Sequence, residues 1–197
     1  MFVKKIVFVC LAFMSPIIWA LAAENLGLPT NFEFGSNPFS EKLVIKNIEF
    51  KITSQNYSSR NSVEIVPVGF KKNLEVIKTS VEGVVTGAEA ADLNNDGYPE
   101  VYVYINSADK SAYGSILAFA SNKNLSLSPI YFPALNEIGK DAVSYNGHDE
   151  FSVVENRLMR RFPVVTRNGV QRYRQIQYKL IAGEAGWTLK IDRVDSF

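Results

Sequence analysis

Cysteine and histidine are almost missing from this 197-residue chain, each occurring once, at Cys10 and His148. A single cysteine closes no internal disulfide, so no crosslinked framework holds the fold. A single histidine excludes any metal or catalytic site that needs two imidazoles. An excess of one charge is lacking as well: 21 Lys and Arg stand against 20 Asp and Glu, a net charge of +1. The two signs are interspersed, without a basic stripe or an acidic tail, which argues against nucleic acid as a partner. No serine sits in a GxSxG elbow, so the nucleophile of an α/β-hydrolase has no obvious place.

The long apolar run is confined to the N-terminus. Lys4 and Lys5 precede Ile6 to Leu21, which is interrupted only by Ser15 and Pro16 and closes on Ala20-Leu21-Ala22. A basic start, an apolar middle and a small-x-small end are the marks of a secretory signal peptide, here residues 1–22. The run is short for a bilayer span and lacks a basic stop-transfer flank. Cys10 sits too early in the run, behind Val9, to be a lipidation site. Cleavage removes it with Lys4 and Lys5, leaving a cysteine-free chain of net charge −1. The expectation is a soluble periplasmic or secreted protein with no membrane attachment. About 175 residues suffice for one hydrophobic core without crosslinks.

Residues 23–42, rich in Asn, Pro, Gly and Ser, read as an irregular lead, with 43–197 as a single domain. From Leu43 onward, short runs of Val, Ile, Phe and Tyr recur between turn residues, the spacing of strands in a sandwich or barrel. Alternation predicts strands over 43–53, 63–66, 74–77, 100–105, 114–120, 127–132, 150–154, 157–163, 172–181 and 187–194. The run Glu-Val-Tyr-Val-Tyr-Ile at 100–105 suits a central strand, buried on both faces or aromatic on one. A helical turn finds room only within Pro133 to Asp141. The fold class expected is all-β, an antiparallel β-sandwich of about ten strands with little helix.

The sharpest local motif is DLNNDGYPE. Asp92, Asn94 and Asp96 are spaced by two, Gly97 follows, and Tyr98 and Glu100 stand at positions seven and nine. Converging oxygens at that spacing are what a calcium loop supplies, with the Tyr98 carbonyl as one ligand. Position twelve is Val103, where an EF-hand has glutamate, and the flanks read as strands. An Asx turn built on the same residues, with Gly97 at positive φ, is the alternative. His148 lies beside Asp149 and Glu150; a loop histidine bonded to a neighbour and a catalytic base are both compatible with that context. Asp141, Asp149, Glu150 and Glu155 offer carboxylates for glycoside hydrolysis, but nothing in the sequence pairs them.

From Val85 to Phe119 the chain resembles the periplasmic inhibitors of invertebrate-type lysozyme. The resemblance rests on a strand ending in Ala91-Asp92, the Asp92 to Glu100 loop, the strand to Ile105, and a Ser/Gly/Tyr-rich loop before the next strand. Gly147 to Val164 (GHDEFSVVENRLMRRFPV), Arg174 to Leu180 and Gly183 to Trp187 are similar to stretches in exported proteins grouped with that family. Membership implies a β-sandwich that inserts a loop into the lysozyme cleft, where serine and tyrosine hydroxyls meet the catalytic carboxylates. The family loop reads Ser-Gly-x-Tyr. Here Tyr113 matches the tyrosine, Lys110 replaces the serine and Ser111 the glycine.

The resemblance therefore implies an exported protein that is not an enzyme and requires no cofactor. It would block peptidoglycan hydrolysis by a lysozyme through Lys110, Ser111, Tyr113 and the neighbouring Ser107. The alternative is a calcium-stabilised envelope module that binds a glycan or a protein, with Asp92, Asn94, Asp96, Tyr98 and Glu100 as ligands. An exposed edge strand would also permit a homodimer.

Overall fold

The computed structural model describes residues 37–197 apart from 136–138, 140, 141 and 185. The expected signal peptide, residues 23–36 of the expected lead, and most of the expected helical turn after Pro133 lie outside the described residues. The described residues form twelve strands and no α-helix. In chain order these are β1 (Phe39–Ile45), β2 (Ile48–Ser54), β3 (Arg60–Val68), β4 (Ile77–Glu82), β5 (Val84–Ala91), β6 (Glu100–Asn106), β7 (Gly114–Asn122), β8 (Ser126–Tyr131), β9 (Glu150–Val154), β10 (Arg157–Val165), β11 (Gln171–Gly183) and β12 (Gly186–Ser196).

The all-β expectation holds, and several boundaries move. Residues 43–53 are two strands. Leu43 and Ile45 alternate on odd positions and Ile48, Phe50 and Ile52 on even ones, and the change of phase marks a turn at Lys46-Asn47. Lys46 takes φ +53 there, and Ile45 pairs with Ile48. The strand expected at 74–77 begins only at Ile77, because Ile77, Thr79 and Val81 register with β3 while Leu74 to Val76 remain outside it. β5 is poor in β-branched residues after Thr86 and takes its extended form from β6, with which it pairs along most of its length.

Strands β1-β2-β3-β4 form one sheet, and β5-β6-β7-β8-β12-β11-β10-β9 form the other. The expectation of a purely antiparallel sandwich needs correcting at two points. First, β12 runs parallel to β8, pairing Trp187 with Ile130 and Thr188 with Tyr131. After β8 the chain travels to the far edge of the sheet to begin β9, then meanders back and meets β8 in the same direction. Second, the eight-stranded sheet curls until its edges β5 and β9 nearly meet. A carboxylate bridges the seam: Oε2 of Glu89 on β5 accepts the Val153 amide at 2.5 Å and the Tyr104 hydroxyl at 2.5 Å.

Two apolar cores follow from this geometry. Inside the curled sheet Leu93, Tyr102, Tyr104, Leu158, Phe162, Ile176, Tyr178 and Leu189 pack together. Between the sheets, Ile48, Phe50, Ile52, Val63 and Ile65 meet Val85, Val101, Val103 and Ile105. β6 serves both, with its tyrosines turned into the curled sheet and its valines toward the four-stranded one. The chain crosses between sheets at Gly83 (φ +127), where a Cβ would stand 2.3 Å from the Asn106 carbonyl oxygen.

Candidate functional site

The β6–β7 hairpin ends at the pair Asn106 and Gly114, so residues 107–113 form its tip. Turn chemistry within the tip sets its shape. The Ser107 amide donates to the Tyr113 carbonyl at 2.9 Å, and the Tyr113 amide donates back to Oγ of Ser107 at 2.8 Å. Oδ1 of Asp109 accepts the Ser111 amide at 2.8 Å and the Ser107 hydroxyl at 3.2 Å. Ala112 adopts φ +46 to complete the turn.

A second segment, 145–149, supports the tip. The His148 amide donates to the Ser111 carbonyl at 2.7 Å, and the Asp149 amide donates to the Ala112 carbonyl at 3.4 Å. The intervening Gly147 is buried at φ +79, and a Cβ there would stand 1.9 Å from the Ser111 oxygen. Glycine is required at this position by both conformation and space. At the base of the hairpin, Oδ2 of Asp149 accepts the Gly114 amide at 2.6 Å and the Tyr145 hydroxyl.

Oδ1 of Asp149 accepts Nε of Arg160 at 2.6 Å, with the two side chains 0% and 2% exposed. Nη2 of Arg160 donates to the Gly114 carbonyl at 3.3 Å and to Oη of Tyr145 at 3.0 Å. The guanidinium lies 5.1–5.7 Å from the rings of Phe132, Tyr145, Phe151 and Phe162. Burial opposes its charge, but the Asp149 carboxylate outweighs that and holds the Arg160 pKa above its usual value. Burial and then Asp149 push the Tyr145 hydroxyl upward as well, keeping it a donor.

Three of the expected contact residues remain presented at the tip. Tyr113 is 43% exposed, with its ring leaning on Tyr145 at 5.5 Å. Lys110 is exposed, and Ser111 is half-buried. Ser107 lies in the same loop, but its hydroxyl is engaged within the turn. Beside Tyr113 opens a cleft of about 510 Å³, lined by Ile116, Phe132, Leu135, Tyr145 and Arg160. The side chain of His148 is exposed, and the neighbouring Glu150 pairs with Arg161 at the surface. Asp141 lies outside the described residues.

The residues that sequence reasoning missed are Tyr145, Gly147, Asp149 and Arg160 in their supporting role. One signal was available. Leu158, Arg160 and Phe162 share the inward face of β10, and an arginine on an apolar strand face requires a buried carboxylate.

The other constellation lies on the β5–β6 connection. One carboxylate oxygen from each of Asp92, Asp96 and Glu100 lies within 4.8 Å of the other two. Oδ2 of Asp92 accepts the Gly97 amide at 2.9 Å, and Oδ1 of Asp96 accepts the Tyr98 amide at 2.8 Å. The Asn94 amide group is turned onto Asp96, accepting its N–H and donating to Oδ2, both at 3.0 Å. Lys46 reaches over from the β1–β2 turn, with Nζ 2.6 Å from the Gly97 carbonyl oxygen and 3.4 Å from Oδ2 of Asp92. Glu100, 1% exposed, accepts the Leu93 amide at 2.7 Å. Burial pushes its carboxyl up to about 8, with Asp92 and Asp96 adding to the rise and the Leu93 amide opposing it.

Family models give no match to this chain, and curated proteins give no significant one.

Proposed function

We propose that this protein is an exported inhibitor that seats the 107–113 hairpin in the active-site cleft of an invertebrate-type lysozyme and blocks peptidoglycan hydrolysis. The observation that carries this reading is the tethering of the hairpin tip. Backbone bonds from His148 and Asp149, the space reserved at Gly147 and the buried Asp149–Arg160 pair hold the tip in one conformation. A loop ordered before encounter loses little entropy on binding, which favours a cleft-filling inhibitor.

The presented groups suit such a cleft. A lysozyme site holds one protonated and one ionised carboxyl group. The Tyr113 hydroxyl both donates and accepts, and the Lys110 ammonium pairs with the ionised partner by a charge-assisted bond. Lys110 makes no bond within the described residues that would have to break first. The resemblance over Val85 to Phe119 supports the same assignment.

The test is a cell-wall clearing assay with several lysozyme classes, with and without the purified protein. Inhibition of the invertebrate-type enzyme at or below micromolar inhibitor is expected. Folded protein that leaves that enzyme fully active at micromolar concentration would sink the proposal.

A further inference from the structure

Charge balances over the whole chain but not over the β10–β11 hairpin. Residues 157–174 hold six arginines and no aspartate or glutamate. Arg160 is paired with buried Asp149, Arg161 with Glu150 and Arg157 with Asp192, while Asp195 alongside on β12 is taken by Arg193. Arg174 donates to the Val143 carbonyl, which carries no charge. Arg167 and Arg172, at the end of the hairpin, are exposed and make no ion pair among the described residues. The main chain of Phe197, bonded to Tyr173, adds one carboxylate. Three arginines against it leave this end cationic among the described residues.

The same end is apolar. Val165 and Val170, 56% and 51% exposed, flank a turn in which the Thr166 amide donates to the Val170 carbonyl at 2.9 Å. Val165 pairs with Gln171, so the two valines stand on opposite faces of the hairpin. Pro163, Tyr173 and Phe197 follow in one row. Pro163 pairs with Tyr173, Tyr173 and Phe197 exchange backbone bonds at 2.9 and 3.0 Å, and the two rings stack at 6.4 Å. Arg161 covers the Tyr173 ring at 5.3 Å.

We propose that the end of the β10–β11 hairpin docks on an anionic lipid bilayer. Arg167 and Arg172 meet the phosphate headgroups, Val165 and Val170 enter the upper hydrocarbon, and the rings of Tyr173 and Phe197 lie at the interface, where amphipathic aromatic residues collect. Valines exposed on both faces of a turn gain little from a hydrophilic polyanion but much from hydrocarbon. A second copy of this chain seated on the same patch would bring Arg167 and Arg172 against like charges. The contact is peripheral: no helix among the described residues is long and apolar enough to cross a membrane. It is independent of what the 107–113 tip binds.

The experiment is sedimentation with vesicles of phosphatidylcholine alone and with about 40% phosphatidylglycerol, at about 0.05 M and about 0.5 M salt. The chain from Ala23 onward is used, because the apolar run before it would bind lipid by itself and both cores lie between Phe39 and Val194. Capture by the anionic vesicles at low salt is expected, falling several-fold at high salt or without phosphatidylglycerol. Arg167→Gln with Arg172→Gln should weaken it about tenfold or more, at about fivefold per arginine. Val165→Ser with Val170→Ser should weaken it about threefold or more at unchanged charge. All four positions are exposed, so both variants should melt as wild type does. No capture of wild type by anionic vesicles, or unchanged capture of either variant, would overturn the assignment. In the valine case, retention on dextran sulfate beads would identify a hydrophilic polyanion as the partner instead. No lysozyme is present, so failure here leaves the inhibitory reading where it stood.

Discussion

In the proposed inhibitor, Tyr113 and Lys110 are the residues of the hairpin tip that would meet the lysozyme. Tyrosine offers a large apolar area and one hydroxyl for two side-chain torsions, a profile common among binding hot spots. Tyr113→Ala should weaken lysozyme inhibition by about 30-fold or more, the equivalent of about 2 kcal/mol, with an unchanged melting temperature. Tyr113→Phe separates the hydroxyl from the ring in the same assay. Lys110→Ala should weaken inhibition more at low salt than at high salt, because a charge-assisted contact near the rim is screened. Beneath them, Asp149→Asn leaves Arg160 without its counter-charge in a site where both side chains are essentially unexposed. Loss of about 3–5 kcal/mol in denaturant unfolding is expected. The Asp92 loop was legible in the sequence because it is a run of adjacent residues at a telling spacing, and the tip was singled out by the family resemblance over Val85 to Phe119. The Asp149–Arg160 pair was not, since its members lie on different segments and meet only once β9 and β10 are in register.

Among elements, the supporting segment 145–149 matters to the hairpin as much as the hairpin's own turn does. Gly147→Ala places a methyl group against the Ser111 carbonyl at positive φ and must displace the tip or the segment. Inhibition should fall while far-UV circular dichroism keeps its β signature, which distinguishes a moved loop from a lost fold. Glu89 has a similar place at the seam between β5 and β9. Glu89→Ala leaves the Val153 amide and the Tyr104 hydroxyl without their acceptor, at a cost of about 1–3 kcal/mol for each group left buried and unpaired. Hydrogen exchange at β9 amides should accelerate before exchange elsewhere in the sheet. Most strands could be read from alternation. The β1–β2 turn was hidden because apolar residues continue across it with only a change of phase; β5, named only through the resemblance, escaped alternation because Gly87, Ala88, Ala90 and Ala91 carry little β preference of their own.

For the whole molecule, the decisive feature is that β6 belongs to both cores. Its tyrosines are buried in one and its valines in the other, so neither sheet can unfold and leave the other's apolar face covered. A single cooperative transition is expected, with far-UV and near-UV circular dichroism giving coincident midpoints; two separated transitions would show the sheets to be independent. The sequence reading of residues 100–105 as a central strand, buried on both faces or aromatic on one, held this strand's role as one of two alternatives. It could not contain the closing of the second sheet or the parallel β8–β12 contact, which depend on where a strand arrives after a long excursion.

The support of the hairpin tip by residues 145–149 also fixes an order in time. The 107–113 segment is synthesised well before the chain that gives it shape, and Arg160 follows later still. Contacts of such separation form late, after the intervening chain has found its place. A chain ending before Tyr145 would therefore carry every residue of the 107–113 tip and lack the contacts that give it its conformation. The tip takes its shape only when the C-terminal meander has docked, so under the proposed function its readiness to bind would report completion of the fold.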